Sequence, residues 1–240
     1  MRNRVLLFLA VWMPIAPCVQ AQGFWQKKEY RGWSKSECQQ LLKESPWANS
    51  YTIGTVIFET VQQQSAVAGR ESTPQVTYRA QLWSARPIRQ AIARMQQLDP
   101  KYGKLTPEQR QELDQRLAKF IGTEFPNTVV VQVSYNTTQA YDGALARFWQ
   151  SQSQAELRET IKLIGVGGRV AALQVIVAPG AGREIQMIFP RQFQGKPLIG
   201  PDDKQLGLEF LSPALGTLAA ERVYIKFDVK KMMMDEKLVY

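Results

Sequence analysis

Glu59, Asp142, Asp202, Asp203 and Glu209 are the side chains best placed for acid–base chemistry, because the 240-residue chain contains no histidine. Imidazole is the side chain whose ordinary pKa lies near neutrality. Its absence removes Ser-His-Asp catalysis, Cys-His catalysis and His-ligated zinc together. Carboxylate chemistry survives, and glycoside hydrolysis needs only two acids held about 5 to 9.5 Å apart. Glu59 shares a predicted strand face with Ile57 and Val61, and burial of that face would raise its pKa. Trp25, Trp33, Trp47, Trp83 and Trp149 offer rings on which sugars stack. Against a hydrolase, Asp202-Asp203 sit in a turn, where Asp is expected, and a Glu59 at a strand end would keep its carboxylate in water. Tryptophans at helical or strand spacing usually fill cores. The sequence therefore assigns no catalytic, cofactor-binding or metal-binding residue and no cofactor, and a non-enzyme is expected.

Two further motifs are weighed in the same way. Gly165-Val166-Gly167-Gly168-Arg169-Val170 has the look of a phosphate loop, but Val170 stands where a dinucleotide fingerprint needs glycine and no helix pattern follows. A hairpin turn is expected there. Cys38 lies in Ser34-Lys35-Ser36-Glu37-Cys38-Gln39-Gln40-Leu41-Leu42, where it shares a helical face with Leu41 and Leu42, so a buried small hydrophobe is expected rather than a nucleophile.

The elements that must position these residues are legible from periodicity. Ser34 and Glu37 have capping-box spacing, which starts a helix running to about Lys43, with Trp33 stapling its entry. Strands are predicted over Tyr51 to Val61 and Val76 to Ser84, the latter placing Val76, Tyr78, Ala80 and Leu82 on one face. Pro87 opens a helix with the stripe Ile88, Ala91, Ile92, Met95 and Leu98, closed by Asp99-Pro100. Thr106-Pro107 opens another that buries Leu113, Leu117, Phe120 and Ile121. A buried strand over Thr128 to Tyr135 and a helix over Asp142 to Gln150 follow. From Thr160 the pattern alternates, predicting strands at Thr160 to Ile164, Val170 to Ala178, Glu184 to Pro190, Leu206 to Leu211 and Arg222 to Val229. In the last, Val223, Ile225, Phe227 and Val229 face a core, while Arg222, Tyr224, Lys226 and Asp228 face water. The expected class is α+β, with mixed strands and helices followed by a mostly antiparallel half. Its regions are a signal peptide over 1–21, an α+β region over 22–150 and a β-rich region over 151–240 that packs separately or with the preceding one.

Met1-Arg2-Asn3-Arg4, the apolar run from Val5 to Ile15, and small residues at Val19 and Ala21 match a signal peptide cut after Ala21. The run is too short to cross a bilayer, which needs about 20 residues. Cys18 after Ile15-Ala16-Pro17 offers lipidation as the alternative, opposed by Pro17. Cleavage removes Arg2 and Arg4 and no acid, so the formal charge falls from +9 to +7, and it leaves Cys38 as the one cysteine. No intramolecular disulfide can then form, and stability must come from an apolar core, for which 45% hydrophobic residues suffice.

Gly32-Trp33-Ser34 through Ser45-Pro46-Trp47-Ala48, then Trp83-Ser84-Ala85-Arg86-Pro87-Ile88, Phe189-Pro190-Arg191, and Phe227-Asp228-Val229-Lys230-Lys231-Met232 with Leu238-Val239-Tyr240 carry a resemblance. The chain resembles an uncharacterised family of secreted bacterial proteins, a domain of unknown function with no assigned activity. The resemblance implies export and a shared fold, and brings no functional residue with it. The expected protein is exported, whether periplasmic, envelope-associated or extracellular, and non-enzymatic. It binds an unidentified protein or envelope polymer, not nucleic acid, and has no transmembrane anchor once the leader is removed. Two rivals stand beside this: a carbohydrate-acting hydrolase with paired carboxylates, and a basic module adhering to anionic envelope polymer. Clustering of Arg86, Arg89, Arg94, Lys101 and Lys104 would favour the last.

Overall fold

The computed structural model describes residues 23–54, 75–137, 141–180, 182–234 and 237–240. In chain order the helices and strands are α1 (Phe24–Lys27), α2 (Lys35–Lys43), β1 (Ala48–Gly54), β2 (Gln75–Leu82), α3 (Arg86–Gln97), α4 (Pro100–Gly103), α5 (Pro107–Gly122), β3 (Thr128–Thr137), α6 (Asp142–Ser151), α7 (Gln154–Thr160), β4 (Lys162–Gly165), β5 (Gly168–Ala171), β6 (Gln174–Val177), β7 (Glu184–Pro190), β8 (Gln192–Phe193), β9 (Lys196–Pro197), β10 (Gln205–Ser212), β11 (Glu221–Asp228), β12 (Met233–Met234) and β13 (Lys237–Leu238). The class is α+β with antiparallel sheets.

Local chemistry accounts for the helix starts. Ser34 Oγ accepts from Glu37 N at 3.2 Å while Glu37 Oε2 accepts from Ser34 N at 2.6 Å, and Thr106 and Gln109 form the same box at α5. Proline occupies the first turn of α3, α4 and α5, where its missing N–H costs nothing. Asp99 closes α3 and at once caps the single turn of α4 by accepting from Lys101 N at 2.8 Å.

The first sheet has the order β1-β2-β3-β7-β6 and the second β11-β10-β4-β5. β3 pairs with β7, so the first sheet draws strands from both sides of residue 150. The two sheets face each other across a shared core. Tyr78 of β2 meets Phe210 of β10 edge-on at 5.0 Å, and its hydroxyl lies 2.8 Å from Ser212 Oγ. Trp149 of α6 packs on Phe210 from the side at 5.8 Å. At one margin β1 runs beside β11, and side chains rather than a ladder join them. Asn49 Nδ2 donates to Lys226 O at 2.9 Å and the Tyr51 hydroxyl donates to Glu221.

Three sequence expectations need correction. The stretch Val170 to Ala178 is two strands in different sheets, because the chain crosses between sheets at Ala172-Leu173, with Leu173 N donating to Ile188 O at 2.7 Å. The buried positions shift from Val170 and Ala172 to Val175, a change of parity that a single flat strand cannot make. Thr160 belongs to α7, which Ser153 and Glu156 start with a third capping box, so the following strand begins at Lys162. The first strand is already extended at Ala48, ahead of Tyr51; its part from Thr55 to Val61 lies outside the described residues. Elsewhere β2, β7, β10 and β11 fall where the alternating segments put them and β3 where its buried valine run does, with Val76, Tyr78, Ala80 and Leu82 fully buried on one face. Gly165 and Gly168 pair across the two-residue turn Val166-Gly167, a hairpin as expected.

Candidate binding cleft

The sequence-predicted acids are dispersed. Asp142, at the start of α6, accepts from Thr137 Oγ1 at 3.0 Å and pairs with Arg183 at 2.5 Å. Asp203 accepts from Gly200 N at 2.7 Å and shapes its turn, and Asp202 beside it is exposed. Glu209 projects from the outer face of β10 between Arg169 and Arg222, which both pair with it. Glu59 lies outside the described residues. The described acids each have a separate structural setting, and none of their recorded partners is another of them.

The tryptophans divide the same way. Trp33, Trp47 and Trp149 are buried, and Trp83 packs edge-on against Phe120 at 6.0 Å. Trp33 Nε1 donates to Lys28 O and Trp47 Nε1 to Val239 O. Cys38 is wholly buried, and desolvation pushes its thiol up to about 11. It is a core residue.

The basic cluster proposed around α3 is also structural. Arg89 is 4% exposed and donates to four carbonyls, those of Trp83, Ser84, Ile121 and Thr123. It thereby caps the last turn of α5, and burial followed by repulsion from Arg86 lowers its pKa to about 10. Arg94 donates to Trp33 O at 3.1 Å. Two of the five members are thus turned onto carbonyls, while Arg86, Lys101 and Lys104 are exposed.

The feature that fits a ligand lies where β1 begins and β11 ends. A cleft of about 1170 Å³ is lined there by Lys204, Lys226, Lys230 and Lys231, all exposed, with Glu44 and Asp228 as its acids. Asp228 is engaged by Lys231 at 2.9 Å. Among the described residues, four cations against two carboxylates make the lining positive, and a concave low-dielectric wall concentrates such a field. Trp25, Ser45, Asn49 and Gln205 add an aromatic ring, a hydroxyl and amides to the lining. The Trp25 indole stands edge-on to Trp47 at 5.6 Å, and its Nε1–H is buried without an acceptor among the described residues.

Sequence reasoning missed this site. Lys226 is legible as a water-facing residue of its strand, and Lys230-Lys231 as an adjacent basic pair. Trp25 and Asn49 are more than 150 residues away from them in the chain, and the approach of β1 to β11, with Gln26 of α1 donating to Met233 O at 2.7 Å, brings them together. Among the described residues, no three acids or cysteines are grouped to hold a metal ion, and no helix is long and apolar enough to cross a membrane. Compared with protein-family models, with curated proteins and with solved structures, the chain matches none.

Proposed function

We propose that the chain is an exported, non-enzymatic protein that binds an anionic ligand of the cell envelope in the lysine-lined cleft. The observation that carries this is the convergence of Lys204, Lys226, Lys230 and Lys231 on one concavity that also holds hydrogen-bonding amides and an indole. Lysine ammonium groups are mobile point charges that suit anions of varied geometry, and the amides and the Ser45 hydroxyl suit a ligand rich in hydroxyls. Export rests on the basic start, the apolar run and the Val19-x-Ala21 site, and the exported chain is expected to begin at Gln22 when its N-terminus is sequenced. An intact Met1, or lipid on Cys18, contradicts it.

The test is titration of the purified chain with alginate, a polyuronate, against neutral dextran. Alginate binding should weaken steeply with salt, and Lys204→Gln combined with Lys230→Gln should reduce affinity about tenfold at low ionic strength. Dextran should not bind. Salt-independent binding, or no loss in the lysine variant, would sink the proposal.

A hydrolase is the second possibility, because Glu44 and Asp228 line the same cleft. Asp228 is already held by Lys231, and Glu44 is exposed at the cleft's margin. Turnover of an anionic polysaccharide that vanishes in Glu44→Gln with the fold intact would promote the enzyme.

A further inference from the structure

We infer that the cleft is one end of a longer basic track crossing the outer face of the second sheet, and that the ligand is a linear anionic polysaccharide. This rests on the proposed anion-binding cleft and names its ligand.

The register places the track. Lys226 of β11, Gly207 of β10, Ile164 of β4 and Arg169 of β5 form one row across the sheet, and Lys226 also lines the cleft. Tyr224, Glu209 and Lys162 form the next row, and Arg222 with Leu211 the one beyond. Three strand spacings separate Lys226 from Arg169, roughly 15 Å, and four residues along β11 separate Lys226 from Arg222, roughly 13 Å. The face thus adds Lys162, Arg169 and Arg222 to the cleft's lysines, against the single acid Glu209.

That acid is what makes the face a site rather than scattered charge. The Glu209 side chain is 8% exposed and accepts from both Arg169 and Arg222, whereas the arginine side chains are 53% and 68% exposed. A guanidinium carries five N–H donors, and the bond to Glu209 leaves most of them facing water. The buried carboxylate therefore fixes two arginines in place with forks still open, and less conformational entropy remains to be lost when a carboxylate or sulfate docks. Tyr224 lies over Gly207, where any larger residue would collide with its ring, and Lys226 Nζ stands 5.7 Å from that ring. This flat, covered stretch joins cleft to arginines.

The same geometry argues for a polysaccharide over other polyanions. Single strands of nucleic acid are held by stacking of their bases on open aromatic faces, and the one aromatic on this face, Tyr224, is half-buried under Lys226. A bilayer surface needs apolar side chains to insert, and in these rows the exposed large hydrophobic residue is the single Leu211.

The experiment compares an alginate trisaccharide with long alginate on the full chain, on Lys204→Gln with Lys230→Gln, and on Arg169→Gln, Glu209→Gln and Arg222→Gln combined, which removes both arginines with their acid. Long alginate should bind the parent chain at least about tenfold more tightly than the trisaccharide. The triple variant should remove that advantage, leave trisaccharide affinity unchanged, and flatten the salt dependence by about 0.7 or more in log–log slope per lost contact. If the triple variant melts early in urea, Arg222→Gln alone serves instead, since Arg169 still holds Glu209; its expected loss is about threefold for long alginate only. Equal affinities for short and long alginate, or no loss in the arginine variants, overturn the track while the cleft stands. No binding of either, or no effect of the lysine variant, overturns the cleft itself. Tighter binding of oligothymidylate or of phosphatidylglycerol vesicles, lost in the triple variant, overturns the polysaccharide as occupant.

Discussion

Arg89 illustrates how a single residue can be misassigned by its charge. In the sequence it is one cation among several on a helix; in the fold its guanidinium ties the end of α5 to the start of α3 through four carbonyls, with the Phe125 ring 5.1 Å away. Removing it strands several buried acceptors, so Arg89→Ala should cost at least about 3 kcal/mol in urea unfolding. Arg89→Lys should recover little, because one ammonium cannot span the same carbonyls. Glu37 gives a titratable counterpart. The bond from Ser34 N, then Lys28, hold its carboxyl down from 4.5 to about 2. A depressed acid stabilises the fold above its unfolded pKa, and that contribution fades as pH falls through the folded value. Acid unfolding followed from pH 5 to 2 should therefore be shallower in Glu37→Gln, and an unchanged profile would mean that the cap is not formed in solution. Cys38 should stay unreactive toward a thiol reagent at pH 8 until the chain is unfolded, because its thiolate is scarce and enclosed.

At the scale of elements, β6 shows how an exposed edge is managed. It is the outer strand of the first sheet, with Ile176 and neighbouring Leu173 both exposed. Such an edge invites pairing with another chain. Gln154, at the first position of α7, covers it with its own amide: Nε2 donates to Val175 O at 2.7 Å and Oε1 accepts from Val175 N at 3.1 Å. Gln150 of α6 continues the cover onto Ala178 O and Gly180 O. Gln154→Ala should accelerate hydrogen exchange at Val175 and promote self-association on concentration; unchanged exchange at that amide would refute the blocking role. The strand β11 tests the sheet register. Phe227 is 1% exposed on the inner face, so Phe227→Ala should destabilise by about 3 to 5 kcal/mol, while Tyr224→Ala on the outer face should cost much less. Equal urea midpoints for the two would mean that the strand is turned the other way.

For the whole molecule, pairing of β3 with β7 places strands from before and after residue 150 in one sheet, and the buried residues of both stretches form one core. Unfolding should therefore follow a single transition, coincident by tryptophan fluorescence and far-ultraviolet circular dichroism. The sequence alone determined the α+β class, the capped helices α2 and α5, the inward faces of β2 and β11, and the burial of Cys38. These depend on spacing over a few residues, where side-chain period and capping bonds act locally. The same local signals missed α7 and the crossing at Ala172-Leu173, although Ser153-x-x-Glu156 and the shift in apolar parity were both present. The cleft was beyond their reach. Trp25 and Asn49 at one end of the chain meet Lys204, Lys226 and Lys230 near the other because β1 closes against β11 and α1 is tied to Met233. Nor does any spacing reveal that Glu209 aligns arginines from β11 and β5, since register between strands is set by which faces the shared core buries. Local periodicity decides what each segment is; the burial of apolar surface from distant segments decides which charges come to stand together.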